Sequence, residues 1–187
     1  MTSSRSRRLL ALLLALALCL SFAACSGSSE EDEEGDSSDY TYATQGGAVS
    51  LAEGVTAPEQ NNTMTTVYDN GQLSGAFTLI NSKSTTYFKQ SGSVTVTVQA
   101  TLNTETKWTD AFISLWKQGS EATEFVGTVH FTADGSAYTY TWSGLDPAAE
   151  YRVAIAYNDV PRYKLSGVFT VTGLTAEGES DLETNEG

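Results

Sequence analysis

The chain has 187 residues, with 10 Lys+Arg against 23 Asp+Glu, a formal net charge of −13 and a single His. That length suits one ordinary domain with tails. The acidic balance excludes a nucleic-acid grip, which is built from Lys and Arg on phosphate. Two Cys, both before residue 26, exclude a Cys/His zinc site and a disulfide framework in the folded part.

Arg5, Arg7 and Arg8 precede an unbroken run of Leu, Ala and Cys over 9–20, and Ser21-Phe22-Ala23-Ala24-Cys25 follows. The run falls short of the roughly 20 residues that span a bilayer. Basic start, apolar core and small-residue exit read as a secretory signal. The ending resembles a bacterial lipoprotein signal, in which small residues precede a Cys that is lipidated and becomes the new N-terminus. That resemblance implies that residues 1–24 are removed. It also implies that Cys25 carries the lipid and anchors the protein to the extracytoplasmic face of the cell membrane. Cys19 is then filler, lost with the signal.

Residues 26–40 hold seven acids, no base and one aromatic, Tyr40, at the end. Such a stretch cannot bury enough apolar area to offset its ordering entropy, so it is expected to be a disordered spacer. An acidic interaction tail is the alternative. Residues 41–62 show no sustained period and join this tether as linker, with at most an edge strand near 48–51. The tether is thus assigned to 25–62, and 174–187 is a second disordered acidic tail.

Over 63–173 the period is two. Thr63–Asp69 and 72–80 flank Asn70-Gly71, a strong hairpin signal because both turn residues tolerate positive φ. Residues 93–102 alternate Val94, Val96, Val98, Ala100 and Leu102 with Thr95, Thr97, Gln99 and Thr101, as a half-buried antiparallel strand does. Further strands are expected at 111–117, 124–131, 137–142, 150–158 and 165–172. In 124–131, Phe125, Gly127, Val129 and Phe131 share one face and Val126, Thr128 and His130 the other. Eight short strands with polar turns and no helical run call for a single antiparallel β-sandwich.

Residues 138–155 carry a closer resemblance. Trp142, Leu145, Pro147 and Tyr151 stand at the spacing of the E-strand, corner and F-strand of a fibronectin type III domain. The resemblance implies a tyrosine corner, with the Tyr151 ring in the core and its hydroxyl on the turn backbone. The strand-B Trp of that family is absent, and the 63–80 hairpin lies outside its plan. The implied fold is therefore a fibronectin-like or immunoglobulin-like sandwich.

Candidate chemistry is thin. His130 reads as a surface strand residue. No Gly-x-Ser-x-Gly elbow, phosphate loop or His-Glu-x-x-His is present, so no catalytic residues and no cofactor are assigned. Asp69-Asn70-Gly71, Asp134-Gly135-Ser136 and Asn158-Asp159 offer loop oxygens without the spacing of a calcium loop, and turn chemistry explains them. No metal is expected. The stripe Tyr138, Tyr140, Trp142 fits either a sugar-stacking platform or an inward strand face, and the latter is preferred.

If consecutive strands run antiparallel, the connections 103–110, 132–136 and 159–164 gather at one end. They bring Trp108, Asp134, Asp159, Arg162 and Tyr163 together, an aromatic-plus-charge composition typical of recognition patches. A core-plug Trp108 with solvated charges is the plainer alternative. The expected function is a non-catalytic binding or adhesion module for polysaccharide or protein at that loop end. The alternative is an accessory subunit of a cell-envelope complex, meeting its partner through a sheet face or the 63–80 hairpin.

Overall fold

The computed structural model describes residues 40–157 and 163–178. They form ten strands: β1 Thr44–Gln45, β2 Thr63–Asp69, β3 Gln72–Leu79, β4 Lys83–Ser84, β5 Phe88–Leu102, β6 Asp110–Lys117, β7 Glu124–Thr132, β8 Asp134–Ser143, β9 Glu150–Tyr157 and β10 Leu165–Glu177. Every ladder is antiparallel. The fold is the all-β sandwich that the alternation pattern predicts.

One layer runs β2-β3-β10-β5-β8-β1, and the other runs β9-β6-β7 with β4 on the free side of β9. Strand β5 belongs to both. Its Ser93–Thr101 stretch pairs with β8, while Phe88 and Lys89 pair with Tyr151 and Glu150 of β9. Gly92, at φ 110, sits where the strand passes between layers, a backbone setting that side-chain-bearing residues rarely adopt. Its carbonyl accepts from Leu145 N–H at 3.0 Å, which ties the switch to the turn after β8.

The core lies between the layers. Val94, Val96, Val98 and Ala100 of β5, with Phe77, Phe169 and Val171, face Ile113, Leu115, Val129, Phe131, Val153 and Ile155. Each fully buried aliphatic side chain contributes about 1.5–3 kcal/mol of transfer free energy. Trp142, Tyr140 and Tyr138 lie opposite Val94, Val96 and Val98 in the β5–β8 ladder. Trp142 is buried and the two tyrosines pack against the core. The aromatic stripe is an inward face.

The Asn70-Gly71 turn has φ 48 and 78 and closes the β2–β3 hairpin at Asp69↔Gln72. This hairpin extends the first layer beyond β10, through β3.

At the other end of β8 the Tyr151 ring is buried and its hydroxyl accepts from Asp146 N–H at 3.0 Å. Gln90 Nε2–H donates to Asp146 C=O at 2.8 Å, so both backbone groups of Asp146 are held. The side chain of Leu145 packs against the core. Tyr151→Phe keeps the ring and removes the acceptor. It is expected to cost about 1–3 kcal/mol, the penalty for a part-buried donor left without a partner, read as a shift in urea midpoint at unchanged slope.

Residues 40–62 differ most from the sequence reading. The chain from Tyr40 runs between the free edges of the two layers. Ala43 N–H donates to His130 C=O, His130 N–H to Thr41 C=O, and Gly46 N–H to Ala137 C=O, each at 2.8 Å. The short strand is Thr44–Gln45, not 48–51. Residues 47–58 then cross the outer face of the first layer as a strap. Gln72 Nε2–H donates to Ser50 C=O at 2.8 Å, Ala52 N–H to Ser74 Oγ at 3.1 Å, and Thr65 Oγ1–H to Thr56 C=O at 2.8 Å. These partners are side chains of distant strands, which no local periodicity reveals. The sandwich also runs past 173, because Leu174, Ala176 and Glu177 pair with Gln90, Lys89 and Phe88.

Two side chains of β7 depart from their expected settings, one by changing sides and one by being buried. A bulge between Leu115 and Trp116 sets Trp116 opposite Phe125 and leaves Val126 as the extra residue. Phe125 therefore leaves the inward face expected of it and is exposed, with its ring edge-on to Trp116 at 5.2 Å. His130 keeps its predicted face but is buried, because Tyr40 and Tyr42 lie over it at ring distances of 4.4 and 5.6 Å. Its Nδ1 meets Asp110 Oδ2 at 2.8 Å. The surface-histidine expectation is corrected by the folded-back N-terminal segment.

Candidate functional site

The connections after β5 and between β7 and β8 meet at one end of the sandwich. Ala133 N–H donates to Thr109 C=O at 2.8 Å, and Thr101 is the ladder partner of Asp134. Asn103 joins the third connection: its N–H donates to Lys164 C=O at 3.0 Å and its Oδ1 accepts from Lys164 N–H at 2.8 Å. Between 101–109 and 133–134 lies an open recess of about 420 Å³, with Thr101, Asn103, Glu105, Thr106 and Asp134 in its wall.

Asp134 opens β8 as the partner of Thr101, next to a register shift in the β5–β8 ladder where Gly135 takes φ 88. Its Oδ1 accepts from Ser136 N–H at 2.8 Å and its Oδ2 from the Tyr138 hydroxyl at 3.0 Å. Partial burial pushes its pKa up, but those hydrogen bonds outweigh it and hold the carboxyl below its ordinary 3.8. Burial, with the Asp134 charge adding to it, raises Tyr138 above 10.0. A depressed carboxylate stabilises the fold above its unfolded pKa, and this contribution is lost as pH falls through the folded value. Unfolding measured from pH 5 down to about pH 2 should therefore show a smaller acid loss in Asp134→Asn than in the parent chain.

Trp108 is 54 % exposed and is no core plug. Its loop is held by backbone: Trp108 N–H donates to Thr106 Oγ1 at 3.2 Å, and the Tyr157 hydroxyl donates to Trp108 C=O. The Lys107 ammonium lies 4.7 Å from the indole centroid. Trp108 flanks the recess rather than lining it. Tyr163 is half-buried and set edge-on at 6.4 Å to Tyr157, the residue whose hydroxyl holds Trp108 C=O. Asp159, Arg162 and Cys25 lie outside the described residues. Of the predicted cluster, the described residues thus show a recess with Asp134, an exposed indole beside it, and a half-buried Tyr163 packed on Tyr157.

Sequence reasoning missed a second surface, the outer face of β6 and β7. Tyr40, Tyr42, Phe125 and Val126 are exposed there, beside Phe112, Trp116 and the His130–Asp110 pair. The outward spacing of Phe112 and Trp116 was readable. The arrival of Tyr40 and Tyr42 was not, and neither was the bulge that exposes Phe125. Among the described residues no group of three or more His, Cys, Asp or Glu gathers to hold a metal.

No family model matches the chain, and no curated protein does. Among solved structures it is similar to a chain described as "CBM4 structure and function", at 11% identity, covering 62% of this chain and 76% of that one, with a TM-score of 0.27. A likeness that distant carries no argument about function.

Proposed function

We propose that the protein is a lipid-anchored, extracytoplasmic binding module without a catalytic role, held to the cell membrane through Cys25. Its ligand, a cell-wall or environmental polysaccharide, is met at the loop end by the recess and Trp108. The observation that carries this reading is an exposed indole on a loop fixed by its backbone, beside a recess whose wall combines apolar surface with the polar groups of Asn103, Glu105 and Asp134. An aromatic face stacks on the apolar face of a sugar ring, while Asp134, Glu105 and the Thr and Asn groups can accept from or donate to hydroxyls. Pre-positioned loops on a rigid sandwich lower the ordering cost of binding.

The test is affinity electrophoresis of the soluble protein through gels holding a panel of soluble polysaccharides. Retardation by one polymer supports the reading. No retardation by any polymer moves the ligand to the protein class.

A second reading, an accessory subunit of an envelope complex, is favoured by the exposed aromatic face of β6 and β7. Among the described residues, Tyr40, Tyr42 and Phe125 add exposed aromatic surface to this face, with Val126 exposed next to Phe125, which is the usual mark of a protein-contact surface.

A further inference from the structure

Strand β2 ends the first layer: β4 comes near it, but among the described residues no strand pairs with its far side. The turn chemistry fixes which of its backbone groups are free. A two-residue turn with positive φ at both positions makes Asp69↔Gln72 a hydrogen-bonded pair, and such pairs alternate along the ladder. Asp69, Val67, Thr65 and Thr63 therefore direct N–H and C=O to β3, whereas Tyr68, Thr66 and Met64 direct theirs outward. Among the described residues no other backbone group bonds to this edge. The strap reaches β2 only through the Thr65 hydroxyl, on the layer's outer face.

Natural sheets guard such edges with Lys, Pro, bulges or a covering segment. The chain does this elsewhere: residues 41–46 cover parts of β7 and β8, and β4 and the start of β5 cover β9. Strand β2, TMTTVYD, has no Lys, no Pro and no bulge, and its single charge is the terminal Asp69.

We infer that β2 is a homodimerisation edge, taken up by β2 of a second copy of this chain in antiparallel pairing about Thr66. The occupant follows from self-complementarity. In that register Thr66 meets its own copy, Met64 meets Tyr68, Thr65 meets Val67 and Thr63 meets Asp69. The outward groups of residues 64, 66 and 68 then form about six interchain backbone hydrogen bonds, two for each closely bonded pair. Methionine sulfur opposite a tyrosine ring is a favourable cross-strand pair. No like charges meet, since the two copies of Asp69 lie at opposite ends of the pairing. A twofold contact of this kind closes at two copies and propagates no further. One strand pair buries less than the roughly 1,200–2,000 Å² of a stable complex, so the dimer forms at micromolar concentration and above. This inference does not depend on the ligand of the loop end.

The experiment is sedimentation velocity of the full chain carrying Cys19→Ser and Cys25→Ser, from about 1 µM to about 1 mM, beside three variants in the same background. The parent chain is expected to pass from monomer to dimer over that range. Thr66→Pro removes an N–H that faces away from β3, and is expected to keep its melting temperature within a few degrees while remaining monomeric. Thr66→Cys, adjacent to its own copy, is expected to cross-link into a disulfide dimer under mild oxidation. Asp69→Cys, about 20 Å from its copy in this register, is expected not to. A parent chain monomeric to the highest concentration overturns the inference, as does equal cross-linking at 66 and 69. Should Thr66→Pro fail to fold, the cysteine pair decides alone.

Discussion

Gly75→Ala is expected to destabilise the domain by about 1–3 kcal/mol, the usual cost of overpacking, although glycine is otherwise the poorer strand residue. Gly75 is the ladder partner of Phe169, whose ring is fully buried. A Cβ at residue 75 would overlap Cε1 and Cζ of that ring and approach Thr65 C=O to 2.9 Å. Glycine is needed here because the ring lies across its backbone. Phe169→Ala is expected to cost about 3–5 kcal/mol by opening a cavity in the first layer. Combined, the two changes should cost less than their sum by about 0.5–3 kcal/mol, because the added methyl group enters space that the ring has left. Urea unfolding of the four proteins in this cycle gives the answer. Strict additivity would mean that Gly75 is set by something other than Phe169.

Trp108→Ala is expected to do the opposite: little to stability and much to binding. The indole is half exposed, and the hydrogen bonds that hold its loop use its backbone N–H and C=O, which survive truncation. Thermal unfolding should therefore shift by less than about 1 kcal/mol, as surface changes do. Loss of an aromatic anchor at a binding centre costs about 2 kcal/mol or more, so retardation by the cognate polysaccharide should weaken about 30-fold or more. Retained affinity would remove Trp108 from the site. A loss of stability as large as that of Phe169→Ala would make it a packing residue.

The eight long strands were legible because each carries enough residues for a period of two to show. Residues 93–102 are the clearest case: every alternate side chain from Val94 to Ala100 is buried. The corner was legible because Trp142, Leu145, Pro147 and Tyr151 have fixed offsets within one local turn, and the Tyr151–Asp146 hydrogen bond spans five residues. What escaped is what the chain does at long range. The strap at 47–58 is held by Gln72, Ser74 and Thr65, and Tyr40 covers His130 from 90 residues away. The bulge at Trp116 inverts Phe125 through the register of a strand pair rather than through any feature of 124–131 alone. At the loop end, the three connections were placed from strand alternation. The sequence could not show that Trp108 flanks the recess while Tyr163 packs half-buried on Tyr157.

The most direct test of the binding site is an amide ¹H–¹⁵N spectrum of the soluble protein, titrated with oligosaccharides of whichever polymer retards it. Shifts concentrated in 101–109 and 133–136, with the Trp108 indole N–H among the largest, are the predicted result. Shifts confined to Phe112, Trp116, Phe125 and Tyr42 would place the ligand on the outer face of β6 and β7 and contradict the loop-end site.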